Sequence, residues 1–329
     1  MIISRTPFRV SFFGGGTDYP AWYRSNGGAV IGSTIDKYCY ISVRWLPPFF
    51  EHRHRIVYSV IETVNDVANI KHSAVRAVLS GSELPQGIEL HHDGDLPARS
   101  GLGSSSAFTV GLVHAMEALR GRRSNPQTLA DEAIRIERDV LKESVGSQDQ
   151  VFAAYGGVNV IHFRPDDTFD VQPLIMLPGR REELENSLVL VFTGIARNAT
   201  EVARRKIDAI PRREGELREL RAMVDRAAEI ISNPRRSLDD FGRLLDESWR
   251  VKRSLVEGIT NSVVDDVYDK AKRAGAIGGK VLGAGGGGFM MLYVPLDGRR
   301  RVIEALSGFT LVDIRLGSPG TRIIVCDPQ

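Results

Sequence analysis

Residues 97–107 read Pro97-Ala98-Arg99-Ser100-Gly101-Leu102-Gly103-Ser104-Ser105-Ser106-Ala107, and the rest of the chain is organised around them. Glycines and three consecutive hydroxyls run straight into an amphipathic pattern. Phe108, Leu112, Ala115 and Leu119 fall at i, i+4, i+7 and i+11, one face of a helix. A Gly-rich turn opening onto a helix presents unpaired backbone N–H groups and the positive end of the helix dipole, a site for phosphate. Serine hydroxyls beside that phosphate can also reach Mg²⁺, a hard ion that takes oxygen ligands. The same residues have a second use, as a serine N-cap behind a glycine turn. Taken by itself, the stretch leaves both uses open.

The 329 residues are enough for one large or two ordinary domains. A hydrophobic content of 42% and a charged content of 26% are those of a water-soluble globular chain. No apolar run is long enough to span a bilayer, and Met1-Ile2-Ile3-Ser4-Arg5 turns polar too soon for a signal peptide. Cys39 and Cys326 form neither a disulfide framework nor a metal-ligand spacing, so a reducing cytoplasm is expected. A net charge of +2 argues against a nucleic-acid partner. The local arginine clusters read as solvated faces and loops.

Along the chain, β-rich runs at 29–35 and 38–46 are expected to flank a turn at Asp36-Lys37. Helices are expected over 70–79, 106–120 and 127–143, a short one between 146 and 157, and strands over 87–92 and 158–163. The second half changes character. A strand at 188–192 precedes helical pattern from 197 to 275, divided by Pro211, Pro234 and Gly258 into about four helices. Their Met and Trp residues suit core packing ahead of a homodimer face or a lid. A glycine run, the strand 289–294, a helix at 299–306 and strands near 310–316 and 321–326 follow. Strands, then helices, then strands give an α+β fold, with two domains, 1–180 and 181–329, meeting near the Pro173–Arg181 linker.

Two carboxylates carry chemistry. Ala130, Ile134, Glu137 and Leu141 lie at i, i+4, i+7 and i+11, so Glu137 sits on an otherwise apolar stripe. A carboxylate aimed at a core needs a cation, a hydrogen-bond network or a metal, and an arginine such as Arg99 would serve as the first. Ser147-Gln148-Asp149-Gln150 reads as a capping box with Asp149 in the first helical turn, where a carboxylate held ionised could also act as a general base. Gly283–Gly288 matches G-x-G-x-x-G, but a helical segment precedes it and a strand follows, the reverse of a dinucleotide site. No Walker-type phosphate loop occurs. Four consecutive glycines before a strand suit close backbone approach to a ligand or to the 97–107 turn.

Three features together resemble the GHMP kinases. Pro7-Phe8-Arg9-Val10 leading into Gly14-Gly15-Gly16-Thr17-Asp18 is similar to the family's first motif, 97–107 to its phosphate loop, and Lys280–Phe289 to its third, glycine-rich motif. The resemblance implies a two-domain GHMP kinase fold, an N-terminal domain like ribosomal protein S5 domain 2 and a ferredoxin-like C-terminal α/β sandwich. It implies ATP and Mg²⁺, with Pro97, Arg99, Gly101, Leu102, Gly103, Ser104, Ser105 and Ser106 around the ATP phosphates and Ser105 and Glu137 on the metal. Asp149 would be the base and Arg9 its partner beside the transferring phosphoryl. Gly15, Gly16, Thr17, Asp18, Gly285 and Gly286 would line the substrate.

Galactokinases carry Glu-His where this chain has Gly15-Gly16, which removes the acidic partner of a galactose hydroxyl. The first motif, Thr193-Gly194-x-x-Arg197-x-Ala199 and 278–285 look most like the bacterial D-glycero-D-manno-heptose 7-phosphate kinases, and fucokinases share much of this pattern. The resemblance therefore implies a sugar 1-kinase serving nucleotide-activated heptose for lipopolysaccharide or capsule. Its partner is a sugar phosphate, and for that phosphate Arg197 is the first expected cation, followed by Lys37, Arg99 and Lys280.

Overall fold

The computed structural model describes residues 1–82, 84–194 and 199–327. The chain begins with β1 (Ile2–Phe13), α1 (Pro20–Asn26), β2 (Gly28–Leu46), β3 (His54–Val57), β4 (Ile61–Val64), α2 (Ser73–Ser80) and β5 (Gly87–Gly94). It continues with α3 (Ser104–Leu119), α4 (Pro126–Ile134), α5 (Gln148–Tyr155), β6 (Val158–Phe163), β7 (Phe169–Pro173), α6 (Pro178–Ser187) and β8 (Leu188–Phe192). Helices α7 (Ala199–Ala209), α8 (Glu214–Ser232), α9 (Asp239–Leu255) and α10 (Ser262–Ala274) come next. The chain closes with β9 (Gly278–Val281), β10 (Phe289–Tyr293), α11 (Arg299–Ala305), β11 (Thr310–Val312) and β12 (Arg322–Cys326).

The strands form two sheets. The larger has eight strands, ordered β12-β1-β2-β5-β3-β4, with β6 on the other half of β2 and β7 beside β6. The smaller is antiparallel, in the order β11-β8-β10-β9. Every strand of the smaller sheet lies after residue 180, and of the larger sheet only β12 does; we propose the division at 180/181 on that ground.

The expected turn at Asp36-Lys37 does not form. Strand β2 runs unbroken for 19 residues because β1 pairs with it on both sides of that dipeptide. The extra residues are absorbed by a register shift, Pro7 facing Tyr38 while Arg9 faces Thr34. Asp36 is held there from the far end of the chain, its carboxylate accepting from the Arg315 backbone N–H at 2.7 Å. The expected helix at 127–143 is likewise two pieces. Its α-helical part ends at Ile134, and 135–140 widen into a π-helical turn in which the Leu141 N–H donates to the Ile136 carbonyl. Such widened turns accompany functional side chains often enough to mark this one.

Helix α3 packs on β1 and β2, and α9 covers β9 and reaches the end of β1. There Phe12 and Phe13 meet Phe241 of α9 edge to face, ring centroids 5.4 and 5.2 Å apart. This contact joins the two sheets where the first motif, the phosphate loop and the third motif converge.

Candidate active site

The 97–107 loop is shaped by two left-handed glycines, Gly101 at φ +85° and Gly103 at φ +74°. Gly103 takes the N-cap position of α3 and supplies no side-chain cap, so the serine N-cap does not form. The first N–H groups of a 16-residue helix are left without a side-chain cap, as an anion site requires. The third motif supports the loop from behind. A Cβ on Gly101 would lie 2.6 Å from the Leu282 carbonyl oxygen, and one on Gly288 only 2.3 Å from that of Ser100. The N–H of Phe289 donates to the Ser100 carbonyl, and Thr193 bonds the Gly288 carbonyl through both its N–H and its hydroxyl. Of the two partners foreseen for the glycine run, the 97–107 turn is the one it packs against.

Under Gly103 lie Arg9 of β1 and Asp149 of the first turn of α5. Two parallel hydrogen bonds join them, Nε to Oδ1 at 2.8 Å and Nη2 to Oδ2 at 2.7 Å. A Cβ on Gly103 would come within 3.2 Å of Arg9 and 3.3 Å of Asp149. The third arm of Arg9 donates to the Gly101 carbonyl at 2.6 Å, tying the pair to the loop. Asp149 remains about a quarter exposed while Arg9 is buried.

Glu137 is 1% exposed on the π-helical turn. Among the described residues no arginine forms an ion pair or hydrogen bond with it. It accepts from Thr109 at 2.7 Å, from Ser106 at 2.8 Å and from the Gln150 amide, all neutral donors. Burial pushes its carboxyl up to about 7 against those hydrogen bonds. The expected capping box is absent because the Gln150 side chain turns to Glu137 and Ser147 makes no cap. The hydroxyl beside Glu137 belongs to Ser106; Ser105 stands on the exposed side of the same turn.

In the first motif, Asp18 is 2% exposed and accepts from the Gly16 N–H at 2.9 Å and the Gln148 amide at 2.8 Å. Burial raises its carboxyl above the usual range. Thr17 corrects an expectation. Its hydroxyl is wholly buried between the carbonyls of Gly14 and Ala29, so it fixes the loop rather than facing a ligand. Gly15 opens toward Ser11 Oγ and the Gln148 amide, and Ser11 Oγ and Gln148 Oε1 are buried without a hydrogen-bond partner among the described residues. Unpaired buried polar atoms beside a cleft are what a hydroxylated ligand satisfies.

Three lysines from the second half surround this group. Lys206 is 7%, Lys252 5% and Lys280 4% exposed. Lys252 donates to the carbonyls of Val281 and Gly283, both at 2.7 Å, and Lys280 to that of Phe12 at 2.8 Å. Burial, then mutual repulsion with Lys206 and Arg9, lowers Lys280 to about 7 and Lys252 well below its ordinary value. Of these three, only Lys280 was singled out from the sequence. Pro97 and Arg99 are exposed at the mouth of the loop, and Gly285 and Gly286 pack on Ile259 and Asn261. Lys37 lies on β2 with its ammonium 3.9 Å from the Asp36 carboxylate. Arg197 falls outside the described residues.

Two family models match the chain, the GHMP kinase N-terminal domain over residues 61–157 and the GHMP kinase C-terminal region over 217–310. A D-glycero-alpha-D-manno-heptose 7-phosphate kinase of Campylobacter jejuni is 31% identical over 318 residues, covering 93% of each chain. The bifunctional fucokinase/GDP-fucose pyrophosphorylase of Arabidopsis thaliana is 26% identical over 87% of this chain, which spans 29% of that longer protein. A solved structure described as a D-glycero-D-manno-heptose 1-phosphate kinase from Bacteriodes thetaiotaomicron superposes with a TM-score of 0.75 at 25% identity over 99% of both chains. With its α+β architecture, its three motifs and these relatives in agreement, the chain belongs to the GHMP kinase family and is an ATP-dependent phosphotransferase with an alcohol group as acceptor.

Proposed function

We propose that this enzyme transfers the γ-phosphoryl group of ATP to the anomeric C1 hydroxyl of D-glycero-D-manno-heptose 7-phosphate, in the cytoplasm, as a step toward nucleotide-activated heptose. The observation that carries the reading is the Arg9–Asp149 pair held directly beneath the glycine loop. The Campylobacter relative's name supports the choice of sugar.

In this reading the N–H groups of 101–106 hold the ATP phosphates. Asp149 accepts the proton of the acceptor hydroxyl as that oxygen bonds to the γ-phosphorus. The bond from the γ-phosphorus to the bridging oxygen breaks, and its electrons leave with ADP. Arg9 orients Asp149 through its two hydrogen bonds and offsets charge on the transferring group. Asp18, with Ser11 and Gln148 beside it, orients sugar hydroxyls. Catalysis is then positioning and charge stabilisation.

Glu137, with a hydroxyl of the Ser104–Ser106 run, would hold Mg²⁺. Among the described residues no three His, Cys, Asp or Glu side chains gather as a metal site, and Mg²⁺ needs no such cage, taking one or two carboxylates with waters and substrate phosphates. A buried carboxyl raised to about 7 and met only by neutral donors fits a cation partner. When bound, the ion neutralises phosphate charge.

ADP release measured over a panel of free and phosphorylated sugars tests the reading. Turnover on heptose 7-phosphate far above that on any free hexose is the expected result; a preference for fucose, mannose or galactose overturns the choice of substrate.

A further inference from the structure

Helix α5 opens on Gln148-Asp149-Gln150, and each of these three side chains reaches a different part of the site. The Gln148 amide holds Asp18, and Asp149 pairs with Arg9. Gln150 is the member left without a use. It is 1% exposed, and its Nε2 donates to Oε2 of Glu137. Its Oε1 is buried with no hydrogen-bond partner among the described residues. That oxygen shares a carbon with the bonded nitrogen, so it lies beside the same carboxylate. Turned over, the amide would set its oxygen against a carboxylate oxygen, so this orientation is the one an ionised Glu137 requires. A buried amide oxygen without a donor is costly, and an apolar side chain of the same size would fill the space without that cost. Packing alone does not account for a glutamine here.

The other bonds of the carboxylate show which of its oxygens can take an ion. Oε2 accepts from both Ser106 and Gln150, and Oε1 accepts from Thr109 alone. A carboxylate has about four acceptor sites, so Oε1 keeps capacity that Oε2 has used. The three donors are neutral, and the charge of Glu143 adds to that of Glu137. An ion at Oε1 would meet a carboxylate whose rotation is already fixed from the Oε2 side. Mg²⁺ keeps several of its waters when it binds a protein, and those waters are donors polarised by the ion. Such a water beside Glu137 supplies a donor to the Gln150 oxygen, which has none among the described residues.

We propose that Gln150 is a positioning residue of the metal site, its amide nitrogen fixing Glu137 and its amide oxygen accepting from a water of the bound Mg²⁺. The inference rests on the reading of Glu137 as a metal ligand. It adds a residue from the helical turn that also carries Asp149, so one turn serves both the metal site and the base.

The test uses the full chain and its Q150M, Q150N and E137Q variants. Mn²⁺ serves as the probe for Mg²⁺, its binding followed by electron paramagnetic resonance with a non-hydrolysable ATP analogue present, so that no turnover is needed. Q150M keeps the volume and removes both amide groups. It should raise the Kd for Mn²⁺ by about 10–100-fold, the usual cost of losing an outer partner of a metal ligand. Q150N, its amide withdrawn by one methylene, should show a smaller rise, and it decides alone if Q150M does not fold. In steady-state assays the Mg²⁺ concentration for half-maximal rate should rise with the Kd. An Mn²⁺ affinity within about twofold of wild type overturns the inference, whether kcat is normal or reduced. A reduced kcat in that case would mean that Gln150 acts through Asp149. E137Q separates the two claims. If it binds Mn²⁺ as wild type does, the metal role of Glu137 falls first. If E137Q weakens Mn²⁺ binding and Q150M does not, Gln150 alone is overturned.

Discussion

The two sides of the site solve the problem of buried charge in opposite ways. On the side built from the first 150 residues, Arg9 and Asp149 neutralise each other through two parallel hydrogen bonds, and the pair needs nothing else to be stable. On the side built from α7, α9 and β9, Lys206, Lys252 and Lys280 are buried with no carboxylate in salt-bridge range among the described residues, two of them resting on backbone carbonyls. One side is a balanced pair suited to moving a proton. The other is a net positive wall, stabilised when an anion arrives. A kinase can use that asymmetry, because ATP brings negative charge to a positive wall.

The comparison breaks most visibly at Asp149. D149N should lower kcat by about a thousandfold while leaving nucleotide affinity nearly intact, the general-base contribution being of that order; near wild-type turnover in stopped-flow ADP release would remove Asp149 as base. E137Q keeps the hydrogen-bonding shape but cannot ionise, so the Mg²⁺ concentration for half-maximal rate should rise about tenfold or more. An unchanged Mg²⁺ titration would leave Glu137 a structural residue. On the cationic side, K252M orphans the Val281 and Gly283 carbonyls, at about 1–3 kcal/mol for each unmet group. Because Gly283 abuts Gly101, KM for ATP should rise about tenfold with a smaller effect on kcat. An effect on kcat alone would separate Lys252 from the phosphate loop.

The smallest effect is the pH dependence left by Lys280. Its folded pKa, about 7, lies below the ordinary 10.5. The neutral amine is therefore favoured by folding, and its contribution to stability is present above 10.5 and lost as pH falls through about 7. Thermal melts from pH 6.5 to 9.5 should show wild type gaining on K280M as pH rises; parallel curves would place the charge in solvent.

How much of this was legible in the sequence follows from the range of the interactions. The glycine turn opening onto α3, the stripe bearing Glu137 and the approach of the glycine run to residues 97–107 depend on local pattern and are visible in the sequence. The π-helical turn did not, since its i to i+5 bonding leaves no repeat distinct from an α-helix over six residues. Asp36-Lys37 looked like a turn because the register shift that absorbs it is a property of β1, a partner strand. Thr17 carried no sign that two carbonyls would claim its hydroxyl. Lys206 and Lys252 were readable in principle. Lys206 stands on the buried face with Val202 and Ile210, and Lys252 follows Leu245 and Trp249 at i+7 and i+3. The signal was the one that picked out Glu137, a charge on an apolar stripe. Among so many arginines and glutamates in 197–275 neither lysine stands out.

The most direct measurement is ³¹P NMR of the product formed from ATP and heptose 7-phosphate. A new resonance coupled to the anomeric proton, beside an unchanged primary phosphate, is the predicted result. A phosphate on any other carbon, or ATP hydrolysis with no sugar bisphosphate, would contradict it.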